Sequence, residues 1–431
     1  MQSMTKQYEP LLQEAGAPGS RRCRCCGAAL RETFVDLGMS PLCESYVSAD
    51  HLAEMEPFYP LHAFVCHECF LVQLDQFVSA EAIFSEYAYF SSYADSWVEH
   101  ARRYAMAMIE RFSLSGSSLV VEVASNDGYR LQHFLAAGVP VLGIEPAGNV
   151  AEAALAKGIR TQIDFFGPEV ARQLAASGQR ADLLAANNVL AQVPDLNGFV
   201  EGLKIALADQ GVLTIEFPHL QQLVEQNQFD TIYHEHFSYF SFATATRLLA
   251  GHGLRVFDVE ELPTHGGSLR LYACHAEDHG KPTAPAVEEL LGRGEQAGYT
   301  SLDAYRGFTE QVQRTKREIL KFLIAAREAG QSVAGYGAPG KGNTLLNCCG
   351  GRTDLLAYTV DRNPYKQGKF LPGTRIPIFS PEKIAETKPD YLLILPWNFG
   401  EEIMEQCAYI GEWGGKFVVP IPTLAVFDAS P

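Results

Sequence analysis

The run "SSLVVEVASNDGYRLQHFLAAG", Ser117–Gly138, decides the fold. "LVVEV" is a short apolar run rich in β-branched residues, the mark of a strand buried on both faces. "SNDG" is a turn of small polar residues, and "GYRLQHFLAAG" carries apolar residues at helical spacing. Strand, tight turn and helix make the opening of a βαβ unit. The pattern then repeats: "PVLGIEP" as strand, "NVAEAALAKG" as helix, "ADLLAANNVL" as strand and loop, "LNGFVEGLKIALAD" as helix and "GVLTIEF" as strand. The expectation is a doubly wound parallel sheet with both faces covered, and "GVLTIEF" is its fourth parallel strand.

The first turn also carries chemistry. Glu122 sits near the strand end, and Ser125, Asn126, Asp127 and Gly128 form the turn. Small residues let a ligand approach the backbone, and the helix start offers free N–H groups. A dinucleotide site wants Gly-x-Gly-x-x-Gly for pyrophosphate, whereas this turn has one glycine, and its acids suit a cation. Glu145, at the end of the next strand, stands where a ribose diol is gripped. An acidic first turn with an acid on strand two is the S-adenosylmethionine pattern. The competing reading is an ordinary βα turn with solvated carboxylates.

Outward from this block the chain changes character twice. Six of the ten cysteines precede residue 70, among short turn-rich segments that read as hairpins. Cys23-x2-Cys26 and Cys66-x2-Cys69 are two CxxC turns, which together complete a closed four-sulfur zinc site. Cys25 and Cys43 compete as ligands. Such a site leaves no open position for catalysis, so its role is folding. Beyond the sheet, "LRVFDVEELP" and "GSLRLYACH" read as further strands, residues 277–300 as a linker, and "SLDAYRGFTEQVQRTKREILKFLIAAREAG" as a long helix capped at Gly330. A second α/β pattern follows: "SVAGYGAPGKGN", "LLAYTVDRNP", "DYLLILPW" and "GKFVVPIP". Gly335-x-Gly337-x-x-Gly340 matches a dinucleotide fingerprint, with Asp361 ending the next strand. Lys341 and Asn343 at the helix start instead suit a compact diphosphate. A tight turn with no ligand is the plainer alternative.

The formal net charge of −17 argues against broad binding to nucleic acid or anionic membranes. No apolar run is long enough to span a bilayer, and the first residues lack a secretory apolar core. The expectation is a cytoplasmic protein with reduced or metal-bound cysteines and no nucleic-acid or membrane partner.

Taken together, the chain resembles the three-domain S-adenosylmethionine-dependent sugar C-methyltransferases of deoxysugar biosynthesis, of the tetronitrose C-3' type. The resemblance covers nearly the whole chain. It is carried by the paired CxxC, "YFSSYADSW", "SNDGYRL", "NNVLAQVPDL", "DTIYHEHFSYFS", "HGGSLRLY", "GAPGKGNTLLN", "VDRNPYKQGKFLPGTRIPI" and "ILPWNF". It implies a zinc-binding N-terminal module over residues 1–80, a class I methyltransferase domain over 81–277 and a second Rossmann-like domain over 278–431. It implies S-adenosylmethionine and structural zinc as cofactors, with Asn187 and Asn188 added to the cofactor residues. The implied substrate is a dTDP- or GDP-linked 4-keto sugar, methylated beside the ketone. Gly337, Lys341, Asn343 and Asp361 would help to hold it.

Carried over, Tyr233, Glu235, His236 and Tyr87 match active-site residues. His suits removal of a proton α to a ketone near neutral pH, and Tyr can serve the enolate. His236 is the expected base, Tyr233 its rival, Glu235 the tuning group and His234 structural; the plainer reading makes all four packing residues. The family usually has His where Gln192 stands, which touches substrate identity or proton relay. Two other functions compete: an NAD-dependent oxidoreductase built on the C-terminal glycines, and a zinc-containing scaffold that binds nucleotide sugars. A methyltransferase acting on another nucleotide-linked carbon, oxygen or nitrogen is the remaining alternative.

Overall fold

The computed structural model describes residues 21–84, 90–93 and 95–429. Tyr87 lies outside the described residues. The chain forms two compact units, each made of separate segments. The first holds the segment ending at Arg31, Val65–Leu220 and His236–Ala304; the second holds Glu32–Phe64, Gln221–Glu235 and the chain from Tyr305 onward.

Two strands early in the chain, β1 (Glu32–Ser40) and β2 (Tyr59–Val65), are neighbours and lie almost wholly in the second unit. The first unit resumes with β3 (Val72–Leu74), the short α1 (Ala80–Phe84) and the long α2 (Asp95–Phe112). Its main sheet uses β4 (Val120–Val123), β5 (Val141–Ile144), β6 (Thr161–Gln162), β7 (Ala181–Ala185) and β8 (Leu207–Pro218). Between these strands run α3 (Leu131–Ala136), α4 (Gly148–Ala156), α5 (Pro168–Ala176) and α6 (Leu196–Ala206). Next come α7 (Leu220–Glu225), β9 (Ser238–Tyr239), α8 (Phe242–Gly251), β10 (Leu254–Leu262) and β11 (Ser268–His275). The sheet order is β10-β11-β8-β7-β4-β5-β6, parallel from β8 to β6, with β11 antiparallel to both β8 and β10.

Alternating side chains explain the two covered faces. Val120, Leu183 and Val212 turn toward Tyr104 and Met108 of α2 and Phe134 of α3. Val121, Leu184 and Leu213 turn toward α5, α6 and α8, through residues such as Leu174, Leu203 and Leu248. Each such aliphatic side chain contributes about 1.5–3 kcal/mol when fully buried. Cys23, Cys66, Cys69 and Leu71 join the second of these clusters, so the cysteine module is anchored on the same core.

Two expectations change here. The two-residue β6 makes β8 the fifth parallel strand, not the fourth; it is too short to leave a periodic signal. Residues 277–300 are not a bare linker. They hold α9 (Pro285–Gln296), which buries Val287 and Leu290. Pro285 starts this helix, at the one helical position where its missing N–H costs nothing.

In the second unit, α10 (Phe308–Glu328) ends at Gly330 with φ +73, as the sequence suggests. Its Phe308 stacks on Phe34 of β1 at 4.6 Å. Next come β12 (Val333–Tyr336), α11 (Gly340–Cys349), β13 (Thr359–Val360), β14 (Ile378–Phe379) and α12 (Glu382–Thr387). The unit closes with β15 (Tyr391–Ile394), α13 (Gly400–Gln406), β16 (Lys416–Val419) and β17 (Ala425–Asp428). The order is β14-β13-β12-β15-β16-β17, all parallel except β17. The turn after β12 therefore lies at the switch point, where doubly wound sheets place ligands. Among the described residues no helix is long and apolar enough to cross a membrane.

Candidate active site and metal centre

The two CxxC turns fold alike. Gly27 N donates to Cys23 O and Cys23 N to Ala28 O; Phe70 N donates to Cys66 O and Cys66 N to Leu71 O. Gly27 and Phe70 both take positive φ, which curls each turn around its two sulfurs. Cys23 Sγ lies 3.4 Å from Cys69 Sγ, and Cys26 Sγ lies 3.5 Å from Cys66 Sγ. All four sulfurs fall within 4.8 Å of one another. That is the spacing of four thiolates around one tetrahedral cation with metal–sulfur bonds of about 2.3 Å. Gln73 Nε2 donates to Cys23 Sγ at 3.2 Å and Glu68 N to Cys66 Sγ at 3.4 Å, the outer contacts that a thiolate site needs. Cys25 and Cys43 are not part of the group.

At the exit of β4 the backbone makes a sharp turn. Ala124, Asn126 and Gly128 all have positive φ. A Cβ on Gly128 would lie 2.3 Å from Ile159 Cδ1, so this position requires glycine twice over. Glu145, at the end of β5, accepts from Asn126 N at 2.8 Å through Oε2 and from Ala147 N at 2.9 Å through Oε1. Burial pushes its carboxyl upward, and the two backbone N–H groups oppose that. Each oxygen retains acceptor capacity for a diol. Lys157 Nζ braces the turn through Asp127 O at 2.9 Å and Asp127 Oδ2 at 3.2 Å. Asn187 and Asn188 follow β7, which pairs with β4.

Five side chains here keep buried polar atoms with no partner among the described residues: Glu122 Oε2, Ser125 Oγ, Asp127 Oδ1, Asn187 Oδ1 and Asn188 Nδ2. Buried polar atoms are normally satisfied, so this concentration marks a place built for a polar ligand. Acceptors outnumber donors, which fits the sulfonium and ammonium of S-adenosylmethionine. The eight residues expected at the cofactor thus come together in one unit.

With them lies a charged cluster of which sequence reasoning singled out Glu122 but not Arg130, Glu216, Arg270 or His100. Arg130 pairs with Glu122, and both are fully buried. Glu216 meets Arg270 at 2.6 Å, Asn187 Nδ2 at 3.2 Å and His100 Nε2 at 3.3 Å. Burial alone would raise the Glu216 carboxyl, but His100, Arg270 and Arg130 hold it at about 2. Arg130 and Arg270 are visible only as members of "SNDGYRL" and "HGGSLRLY"; nothing in the sequence pairs Arg130 with Glu122, or Arg270 with the distant Glu216.

In the second unit the fingerprint glycines are filled from within the protein. A Cβ on Gly335 would meet Thr359 Oγ1 at 2.7 Å, on Gly337 Pro396 Cδ at 2.5 Å, and on Gly340 Cys43 Sγ at 2.9 Å. Asp361 accepts from Ala338 N at 2.7 Å and from Asn363 N at 2.8 Å. Lys366 Nζ and Tyr46 both donate to Ala338 O. Lys341 Nζ donates to Asn398 Oδ1 at 2.7 Å and stands 4.7 Å from the Trp397 ring centre. Asn343 donates to Cys43 O, and Cys43 Sγ lies 3.5 Å from Glu235 Oε1. Glu235, Asn343 and the glycine turn are thereby gathered around Cys43.

The Tyr-His-Glu-His run divides: Tyr233, His234 and Glu235 belong to the second unit and His236 to the first. His234 is buried, its Nε2 is 3.2 Å from Pro60 O, and burial holds its pKa down at about 4. Glu235 is also buried, whereas Tyr233 and His236 retain partial exposure. The His236 ring meets Tyr239 edge-on at 6.2 Å. Gln192 ends a 3-10 turn, Leu190–Gln192, and is half-buried.

The first unit's sheet order, with its one reversed strand and an acceptor-rich turn at β4, defines a class I methyltransferase. Family models match three consecutive stretches: "Putative zinc binding domain" over residues 23–84, "Methyltransferase domain" over 97–259 and "C-methyltransferase C-terminal domain" over 263–422. C-methyltransferase NovU of Streptomyces niveus is 38% identical over 408 residues, covering 94% of this chain and 97% of that protein. The chain belongs to this C-methyltransferase family: it is an S-adenosylmethionine-dependent C-methyltransferase with a structural zinc site. Two solved structures are more distant. Magnesium protoporphyrin IX methyltransferase from Synechocystis PCC 6803 with bound SAM is 15% identical, with TM-score 0.32, covering 42% of this chain and 82% of that one. The CcbJ methyltransferase from Streptomyces caelestis is 12% identical, with TM-score 0.33, covering 41% and 89%. Those scores carry no part of the assignment.

Proposed function

We propose that this enzyme methylates the ring carbon beside the ketone of a dTDP- or GDP-linked 4-keto-deoxysugar, with His236 as the base. The observation that carries the assignment of roles is the burial pattern of "YHEH". His234 and Glu235 are buried, and His234 is held neutral against Pro60, so Tyr233 and His236 are the two that retain access to a ligand. S-adenosylmethionine supplies an electrophilic methyl group on a sulfonium. His236 takes the α-proton, and the C–H electron pair moves into an enolate whose oxygen Tyr233 serves by hydrogen bonding. The new carbon–carbon bond forms as the carbon–sulfur bond breaks, and its pair stays on sulfur in S-adenosylhomocysteine. Ser125, Asp127, Asn187 and Asn188 hold the cofactor and Glu145 its ribose.

Within the second unit, Gly337, Lys341, Asn343 and Asp361 are the residues this reading assigns to the nucleotide of the substrate. Lys341 directly after the last fingerprint glycine, with Asn343 in the first turn of α11, weighs against NAD and suits the compact diphosphate of a nucleotide sugar. None of the ten cysteines is in a disulfide, which supports a reducing, cytoplasmic setting. The test is incubation with S-adenosylmethionine and a panel of dTDP- and GDP-linked 4-keto-6-deoxysugars, read by mass. A product heavier by one methylene, with release of S-adenosylhomocysteine, supports the reading. No product from any member of the panel overturns it.

A further inference from the structure

Glu216 does more than neutralise two arginines. Its Oε1 receives Arg270 at 2.6 Å and Asn187 Nδ2 at 3.2 Å, while Oε2 faces His100 at 3.3 Å. Arg130 and Arg270 both stand over the Tyr104 ring, at 5.2 and 4.8 Å, and both favour the charged form of the Glu216 carboxylate. A carboxylate held ionised in this way has no proton to give and only accepts. Asn187 must therefore turn its NH2 toward Glu216 and its carbonyl oxygen the opposite way. That Oδ1 is buried and has no partner among the described residues. The backbone repeats the constraint, because Asn188 N donates to Glu216 O at 2.7 Å.

We propose that Glu216 is a positioning residue that locks the Asn187 amide so that its carbonyl oxygen faces the cationic end of S-adenosylmethionine. A freely turning amide would present its NH2 to a cation for part of the time. The ion cluster prevents this, and a residue outside the cofactor turn thereby sets the enzyme's preference for a charged ligand. The inference rests on the cofactor lying at the β4 turn.

The test is calorimetric binding of S-adenosylmethionine, S-adenosylhomocysteine and 5'-methylthioadenosine to the full chain. The variants are Glu216→Gln, Asn187→Leu and Glu260→Gln. A glutamine at 216 can donate to Asn187 Oδ1 and turn the amide over. It should weaken S-adenosylmethionine about tenfold relative to 5'-methylthioadenosine, the worth of one hydrogen bond to a charged group. Asn187→Leu removes the oxygen itself and should change the ratio equally, which keeps the test open if Glu216→Gln fails to fold. Glu260 also binds Arg270, at 2.8 Å, and has no contact with Asn187 among those described. Glu260→Gln should leave the ratio unchanged. A loss confined to S-adenosylmethionine assigns the oxygen to the sulfonium; a loss shared with S-adenosylhomocysteine assigns it to the ammonium. Equal weakening of all three ligands, or an unchanged ratio in Glu216→Gln and Asn187→Leu, overturns the proposal. Failure of the unaltered chain to bind any of the three overturns the cofactor site on which it rests.

Discussion

Asp230 should make the second unit less stable as pH rises, and replacing it with asparagine should abolish that dependence. Its carboxyl is fully buried, with Oδ2 receiving Trp397 Nε1 at 2.7 Å and Oδ1 without a partner among the described residues. Burial pushes its pKa from 3.8 to about 6, against the pull of Lys341 and Trp397. One pKa unit is worth about 1.4 kcal/mol, so ionising Asp230 costs about 3 kcal/mol more in the folded than in the unfolded chain. A raised carboxyl pKa contributes stability that is fully present below the unfolded value and lost as pH climbs through the folded one. About half of the effect, ~1.5 kcal/mol, falls between pH 5 and pH 8. The assay is urea unfolding followed by tryptophan fluorescence at both pH values. The stability of Asp230→Asn relative to the unaltered chain should rise by about that amount from pH 5 to pH 8. The amide keeps an acceptor for Trp397, and any cost of its new NH2 is the same at every pH, so the slope isolates ionisation. A flat difference, or one that falls with pH, refutes the reasoning.

Other outcomes follow from separate parts of the molecule. Gly337→Ala meets Pro396 at 2.5 Å with φ +86, and should cost about 2–4 kcal/mol of second-unit stability by chemical denaturation. Cys66→Ser should lose bound zinc, read by metal analysis, and melt at lower temperature, because an opened structural site forfeits the coordination energy that holds the module. His236→Ala and Tyr233→Phe should each lower turnover about 10²–10⁴-fold while calorimetry still detects S-adenosylmethionine binding. Normal turnover in both would remove them from the chemistry.

The alternation of strands and helices was legible because each buried strand is a compact apolar run and each helix carries its own period. The paired CxxC announced the metal centre for a similar reason, since its chemistry is local in sequence. Where meaning depends on distant partners, the sequence is silent. Pro285 and the glycines of α9 look like a linker until Val287 and Leu290 are seen to be buried. β6 owes its existence to pairing with β5, not to its two residues. The same distinction holds at the sites. Ser125, Asp127 and Glu145 stand out as a turn and a strand end. Glu216 has no local signal, because its role comes from Arg270, Asn187 and His100, far along the chain. The glycines after β12 show the converse: a strong local pattern that close packing against Cys43, Thr359 and Pro396 explains without a ligand.

The central claim is methyl transfer to a carbon made nucleophilic by loss of its proton. The most direct measurement is a single turnover with a 4-keto-6-deoxysugar nucleotide deuterated at both carbons beside the ketone, read by mass and by proton NMR. The account predicts a product that gains a methyl group on one of those carbons and loses the deuterium there. A methylated product that carries its methyl group on any other atom would contradict it.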